Sequence, residues 1–329
     1  MTSGEQVLAL CAEAGFQRAV LLPSHRLPPE LSEHPQLTPL GEGTYVLCAL
    51  SCYRREPDDL SGPGNPQGLI APFARRHYYR EAVLRLKKVA ARLAASLRLA
   101  DCIRMDRDRL RIFSNSGLPE KALAAAGGLG CYGKNSLILA PGLGSLFVIA
   151  GLFLPLTTLA PAPLPRLEPG EVCGACSACL QSCPTGAIVE PGRVDPGLCL
   201  QGLASRAGAF SDGFRLLWGT RFYGCQACQE VCPHNQYLSL ETETSLGELG
   251  PSLPLPALLE RPGPEFKIPF RRTALGLSWV EPAALRRNAL LAAGNHRNPA
   301  LLPQLRPWLE SPDPVLAGAA AWAISRCGG

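Results

Sequence analysis

The sequence predicts an α/β (α+β) N-terminal domain, then a small cysteine-rich module, then an α-helical tail. Three observations lead there. Helical and strand-like apolar patterns alternate over residues 1–165, eight cysteines crowd into residues 173–232, and a short pattern near the end recurs with a period of 31. The length of 329 residues exceeds one ordinary compact domain, and 47% hydrophobic against 18% charged residues excludes a disordered chain. With 33 glycines and 32 prolines, the chain is cut by turns too often for one long helical array.

In chain order, GEQVLALCAEAG has helical periodicity, FQRAVLLP and TYVLCALSCY are apolar enough for strands, and YREAVLRLKKVAARLAASL is a long amphipathic helix. GGLGCYGKN at 127–135 lies between a helical run and a strand. It lacks Walker spacing, so an ordinary turn is favoured over a phosphate loop. No charge occurs between Lys134 and Arg166, a stretch long enough to cross a bilayer. Pro141, Gly142, Gly144 and Pro155 cut it, however, so SLILA and SLFVIAGLFL are expected to be buried strands and no membrane association is expected. The start, MTSGEQVLALCAEAGF, has no basic leader and carries Glu5 and Glu13 within its apolar pattern, which points to a cytoplasmic protein.

The proline-rich PAPLPRLEPG at 161–170 reads as a linker, and Gly and Pro concentrate again in SLGELGPSLPLP and ERPGPEFKIP. These breaks define domains at 1–165, 166–240 and 241–329. In the last, LRRNALLAAGN at 285–295 overlays LAGAAAWAISR at 316–326, suggesting two short helical-repeat units packed on the rest of the protein. The net charge of +5 is concentrated there, since residues 261–329 hold nine Arg and Lys against four Asp and Glu. A basic terminal module suits an anionic partner, with nucleic acid the leading candidate.

In a chain expected to be cytoplasmic, 14 cysteines favour thiols and metal ligands over disulfides. Cys173, Cys176, Cys179 and Cys183 follow C-x2-C-x2-C-x3-C with Pro184 next, the bacterial ferredoxin run. In that arrangement three thiolates of one loop bind one cubane and the fourth reaches the other. A second such run needs a cysteine at 222, where Phe222 stands, leaving Cys225, Cys228 and Cys232 with Pro233. Cys199 is the only other cysteine between the runs and is assigned as the replacement. Two 4Fe-4S clusters follow, one on Cys173, Cys176, Cys179 and Cys232, the other on Cys183, Cys199, Cys225 and Cys228. Zinc also accepts four cysteines, but it gives no reason for this spacing with Cys-Pro endings. Cys11, Cys48, Cys52, Cys102, Cys131 and Cys327 lack ligand spacing and are expected to be buried apolar residues.

With these motifs in view, the chain resembles the epoxyqueuosine reductase family, cobalamin-dependent iron–sulfur enzymes of tRNA queuosine synthesis. The resemblance is carried by IAPFARRHYYREAVLRLKK at 70–88, EKALAAAGGLGCYGKNSLI at 120–138, CGACSACLQSCPTGAI at 173–188, Cys199, GCQACQEVCPHN at 224–235, and LRRNALLAAGNHRNPALLPQL at 285–305, similar to the family's HEAT-like tail. It implies a cobalamin-binding N-terminal domain with the cofactor near Gly130, Gly133, Lys134 and Asn135. It also implies two 4Fe-4S clusters fed by a low-potential electron donor, and a modified tRNA anticodon loop as partner. The implied reaction is reductive deoxygenation of the epoxide on the wobble base. Arg271, Arg272, Arg286, Arg287 and Arg297 are the candidates for tRNA phosphates.

The chain departs from the family in three places. The family's proton-donating Asp precedes an E-[RK]-A-[LW]-A helix, whereas FSNSGLPEKALA puts Ser114 and Asn115 at that position. These are taken as the candidate catalytic residues, able to hydrogen-bond a substrate or a water but not to act as a carboxylic acid. Glu120 is expected to cap its helix or to form a salt bridge rather than to replace that acid. After Cys199 the segment LQGLASRAGAF lacks the family's Glu and His, and FRRTALGLSWV keeps only Arg271 and Arg272 of a basic segment. Two alternatives therefore stand beside the reductase: a related cobalamin and iron–sulfur reductase of a small molecule, and a non-catalytic electron-transfer paralogue.

Overall fold

The computed structural model describes residues 4–53, 64–96, 110–157, 170–236, 249–260 and 263–328. The linker expected at 161–170 lies outside these except for Gly170, as does Cys102. The chain divides into two compact units interleaved in sequence. One comprises the described parts of Met1–Cys52, Tyr78–Ser177 and Pro233–Ser239; the other those of Tyr53–His77, Ala178–Cys232 and Leu240–Gly329.

The first unit is built on an antiparallel sheet in the order Arg18–Pro23, Thr44–Ser51, Phe147–Leu154, Arg111–Phe113. Thr44–Ser51 is buried at all but its last residue. A central strand covered on both faces has this unbroken apolar run rather than an alternation. Tyr45, Leu47 and Ala49 join Phe153, Leu123 and Ile138 in one core, where the Tyr45 and Phe153 rings lie 4.8 Å apart. Cys48 meets Cys11 of helix Gly4–Glu13; burial first, then this thiol contact, pushes the Cys48 thiol well up. The long amphipathic pattern forms helix Tyr78–Ser96, which packs on Phe147–Leu154 and buries Ala82, Leu86, Val89 and Leu93. Each buried leucine of that stripe stabilises the unit by about 1.5–3 kcal/mol. Among the described residues no helix is long and apolar enough to cross a membrane. The uncharged stretch instead contains strands Ile138–Leu139 and Phe147–Leu154.

In the second unit Gln67–Ile70 is the middle strand, parallel to Arg221–Tyr223 and antiparallel to Ser252–Pro254. Helices Pro282–His296 and Pro314–Arg326 carry the two copies of the period-31 pattern and pack together. Gly294 makes this possible, since a Cβ there would lie 2.4 Å from the Trp322 ring. The Gly- and Pro-rich passage read as a boundary is no open linker where it is described. Ser252–Pro254 completes the sheet and Leu255, Leu258 and Leu259 are buried, because proline is tolerated on an edge strand and at a helix start.

Candidate iron–sulfur and catalytic site

The ligand positions are set by short local structures. In the first unit, Cys173 ends the turn Glu171–Cys173, and Gly174 at φ 50 reverses the chain so that Cys176 N donates to Cys173 O at 3.0 Å. In the second unit, helix Ala178–Ser182 holds Cys179 and runs into Cys183, while Ala227–Glu230 follows Cys225 and holds Cys228. The two helices pack, and Ser182 Oγ donates to both Cys179 O and Ala227 O at 3.3 Å. Phe222 occupies the place of the missing cysteine and is fully buried, 5.8 Å ring to ring from Phe270. A thiol there would vacate part of the core, and it is Cys199, arriving from another segment, that approaches Cys225 and Cys228.

Cys183, Cys199, Cys225 and Cys228 come together electrostatically within the second unit. Burial first, and then Cys225, Cys199, Cys179 and Cys183, pushes the Cys228 thiol up to about 12; burial likewise raises Cys225. Such thiols ionise only against a cation, which is what iron supplies. Cys183 is also penalised by burial, yet backbone and hydroxyl donors at Thr185, Ala187 and Ile188 outweigh this and lower it. Ala187 N donates to its sulfur at 3.2 Å. The donor set and these N–H···S bonds fit an iron–sulfur cluster. Gln201 Oε1 accepts from Cys225 N at 3.2 Å, tying the Cys199 segment to the second run. Of the other assigned cluster, Cys173 and Cys176 lie in the first unit, and Cys179 and Cys232 in the second. Among the described residues no group of three His, Cys, Asp or Glu side chains is placed to hold a single metal ion. A cubane differs from a single ion here, because its thiolates bind separate irons. Of the cysteines expected to be apolar, Cys11, Cys48, Cys52 and Cys327 are buried, while Cys131 is only half-buried.

The glycine-rich stretch is a hairpin in which Cys131–Tyr132 pairs with Ile138–Leu139. Gly130 is required by close packing, since a Cβ there would lie 2.4 Å from Leu139 O; at Gly133 it would lie 2.9 Å from Asn135 Oδ1. Asn135 is buried and its Oδ1 accepts from Leu137 N at 3.2 Å. Lys134 Nζ donates to Gly174 O at 2.6 Å and Cys176 O at 2.9 Å. The side chains of Lys134 and Asn135 thus bond to the protein itself, and the two glycines admit close backbone packing.

At the candidate acid position, Ser114 Oγ donates to Ile149 O at 2.7 Å. Asn115 adopts φ 51, a left-handed conformation that Asn tolerates better than most residues. The Glu120 carboxylate accepts from Asn115 N at 2.8 Å and Ser116 N at 2.6 Å, so it ties down the preceding loop rather than capping its own helix, which has no side-chain cap. Burial nevertheless outweighs these bonds and raises its carboxyl.

Two of the arginines assigned to phosphates have other partners. Arg287 is 2% exposed and donates to Leu203 O, Arg206 O and Gly208 O, because it enters the segment after Cys199 rather than solvent. Half-buried Arg286 donates to Gly263 O and lies over the Phe266 ring. Arg271, Arg272 and Arg297 are exposed. Gln201, the Arg287 clamp and the Lys134 contacts gave no sequence signal.

Interleaved thiols, a cubane-type donor set and an α+β domain define an iron–sulfur oxidoreductase. A model of the 4Fe-4S double cluster binding domain matches residues 172–235. The chain is 30% identical over 309 residues to an epoxyqueuosine reductase of Bacillus anthracis, covering 91% of this chain and 77% of the relative. It belongs to the epoxyqueuosine reductase family. The enzyme of Bacillus subtilis is 36% identical over 217 residues, 64% of this chain but 54% of that one, so the chain spans about half the length of this relative. Among solved structures, an epoxyqueuosine reductase with a tRNA-Tyr epoxyqueuosine-modified stem loop superposes with a TM-score of 0.78 at 26% identity, covering 99% of this chain and 90% of that one. The Bacillus subtilis enzyme, with its aspartate-bearing catalytic loop swung out of the active site, gives 0.77 at 25% identity, covering 98% and 89%.

Proposed function

We propose that the protein is an epoxyqueuosine reductase that converts epoxyqueuosine to queuosine at the tRNA wobble position, using two 4Fe-4S clusters and cobalamin. The observation that carries this reading is the gathering of Cys183, Cys199, Cys225 and Cys228 in a chain of this family. Removing the epoxide oxygen as water breaks both its C–O bonds and takes two electrons and two protons. The clusters supply electrons singly from a low-potential donor. Bound cobalamin contributes carbon-centred redox chemistry, as a cofactor carries the step that side chains cannot.

The chain's own residues do the rest. Gly130, Gly133 and Asn135 shape the hairpin that would hold the corrinoid, with Lys134 anchored at its turn. Ser114 and Asn115 position substrate or a water on a loop that Glu120 fixes. Exposed Arg271, Arg272 and Arg297 serve the tRNA phosphates. The test is anaerobic reconstitution with iron, sulfide and corrinoid, followed by mass analysis of nucleosides from tRNA of a reductase-deficient strain. Conversion of epoxyqueuosine to queuosine is expected. No conversion by a protein loaded with both clusters and corrinoid would overturn the assignment and favour a small-molecule substrate, the reading that the absent aspartate at 114 also supports.

A further inference from the structure

Three contacts join the glycine hairpin to the loop that carries Cys173 and Cys176, all within the first unit. Gly170 N donates to Tyr132 O at 2.8 Å, and Lys134 Nζ donates to Gly174 O at 2.6 Å and to Cys176 O at 2.9 Å. Cys131, among the described residues the one half-buried cysteine outside the ligand sets, lies close enough to Cys173 to feel its charge. A lysine at a hairpin turn normally extends into water, and ordering one costs side-chain entropy. Here the ammonium donates two charge-assisted bonds to consecutive turns of a single loop, a geometry that holds the loop and places a positive charge on it.

We infer that Lys134 is a positioning residue for the cluster bound by Cys173 and Cys176: it fastens the ligand loop and holds a positive charge that raises that cluster's reduction potential. The physical basis is simple. One-electron reduction adds a negative charge to the cluster, and a fixed cation favours the reduced form. Lys134 is only half-buried, so solvent screens it and the effect is moderate. The inference rests on the iron–sulfur part of the proposed function and on neither cobalamin nor substrate.

The experiment is EPR-monitored redox titration of the anaerobically reconstituted full chain, with iron analysis, for wild type, Lys134→Gln and Lys134→Arg. Glutamine cannot supply the charge; arginine can. In Lys134→Gln, one of the two clusters should become harder to reduce by about tenfold in its reduced-to-oxidised ratio, about 59 mV for one electron, while the other is unchanged. Lys134→Arg should restore most of the shift. If Lys134→Gln instead retains about half the iron and Lys134→Arg retains all of it, the fastening role is supported by the same charge dependence. Full iron with both potentials unmoved, or an arginine variant indistinguishable from the glutamine one, overturns the inference. A wild-type protein that binds no iron would sink the cluster assignment itself, a distinct failure.

Discussion

Replacing Arg287 with methionine separates a structural arginine from an RNA-binding one. Its guanidinium donates to Leu203 O at 2.9 Å, Arg206 O at 2.8 Å, Gly208 O at 3.0 Å and Asn288 Oδ1 at 2.8 Å. It also lies 4.3 Å from the centroid of the Phe210 ring and 5.4 Å from that of Trp218. Burial pushes it down to about 10, still far above neutral pH, so it remains charged. Methionine fills similar volume but leaves three backbone carbonyls without their donor. At about 1–3 kcal/mol per orphaned group, relieved where water enters, and about 0.5–1 kcal/mol per lost ring contact, the cost is about 4 kcal/mol. For a unit of this size that lowers the melting midpoint by about 10 °C. The assay is thermal unfolding of the anaerobic holoprotein at one scan rate, paired with tRNA binding over a salt series. Arg287→Met should melt early yet leave the slope of log K against log salt unchanged at temperatures where it is folded. Arg271→Met with Arg272→Met should melt normally and lose about two units of slope. A stable Arg287→Met protein whose salt slope falls by about one would refute the buried clamp.

Cys225→Ala should retain about four of roughly eight irons and lose turnover, since one complete cluster goes; iron analysis with EPR decides, and retained turnover would contradict electron delivery through both clusters. For Glu120, burial raises the folded carboxyl, so the folded chain binds its proton more tightly than the unfolded chain does. Wild-type stability relative to Glu120→Gln should therefore fall as pH rises through the carboxylate range and level off above it, measured as the difference in melting midpoint at each pH. Ser114→Asp puts a carboxyl opposite Ile149 O, which the hydroxyl now approaches at 2.7 Å. That carbonyl disfavours the ionised form and keeps a transferable proton, so turnover on epoxyqueuosine tRNA should rise by at least about tenfold; no gain would argue against a missing acid at this position.

What was legible in the sequence was whatever a single segment determines. The period of the pattern gave helix Tyr78–Ser96, and the unbroken apolar run gave Thr44–Ser51. Spacing marked the first cysteine run, and counting singled out Cys199, which the fold brings near Cys225 and Cys228. The features that were not legible depend on partners distant in the chain. Arg287 looks like any surface arginine beside Arg286, and only its bonds to residues 79 to 84 positions earlier make it a clamp. Ser252–Pro254 has the composition of a linker and becomes a strand because Gln67–Ile70 offers it an edge. Lys134 belongs by sequence to a glycine turn and by contact to a ligand loop 40 residues on.

These long-range contacts bear on how the chain differs from its family. The segment after Cys199 carries neither Glu nor His, yet it is held firmly. Arg287 takes three of its carbonyls, Asn288 donates to Ala204 O at 2.9 Å, and Glu281 accepts from Ala207 N at 3.1 Å. All three residues lie at or within one helix, Pro282–His296 with Glu281 at its N-cap. The segment that follows Cys199 is therefore braced through its main chain and not through acidic or imidazole side chains of its own. At Ser114, the position read as that of the family's acid, the side chain is a hydroxyl bonded to a main-chain carbonyl. In the proposed reaction electron supply depends on the cysteine scaffold and proton supply on an acid; the braced Cys199 segment serves the first, and Ser114 has no carboxyl for the second. It follows that substitution at 114 should act on turnover without moving either cluster potential, whereas Lys134→Gln should move a potential in the absence of any substrate.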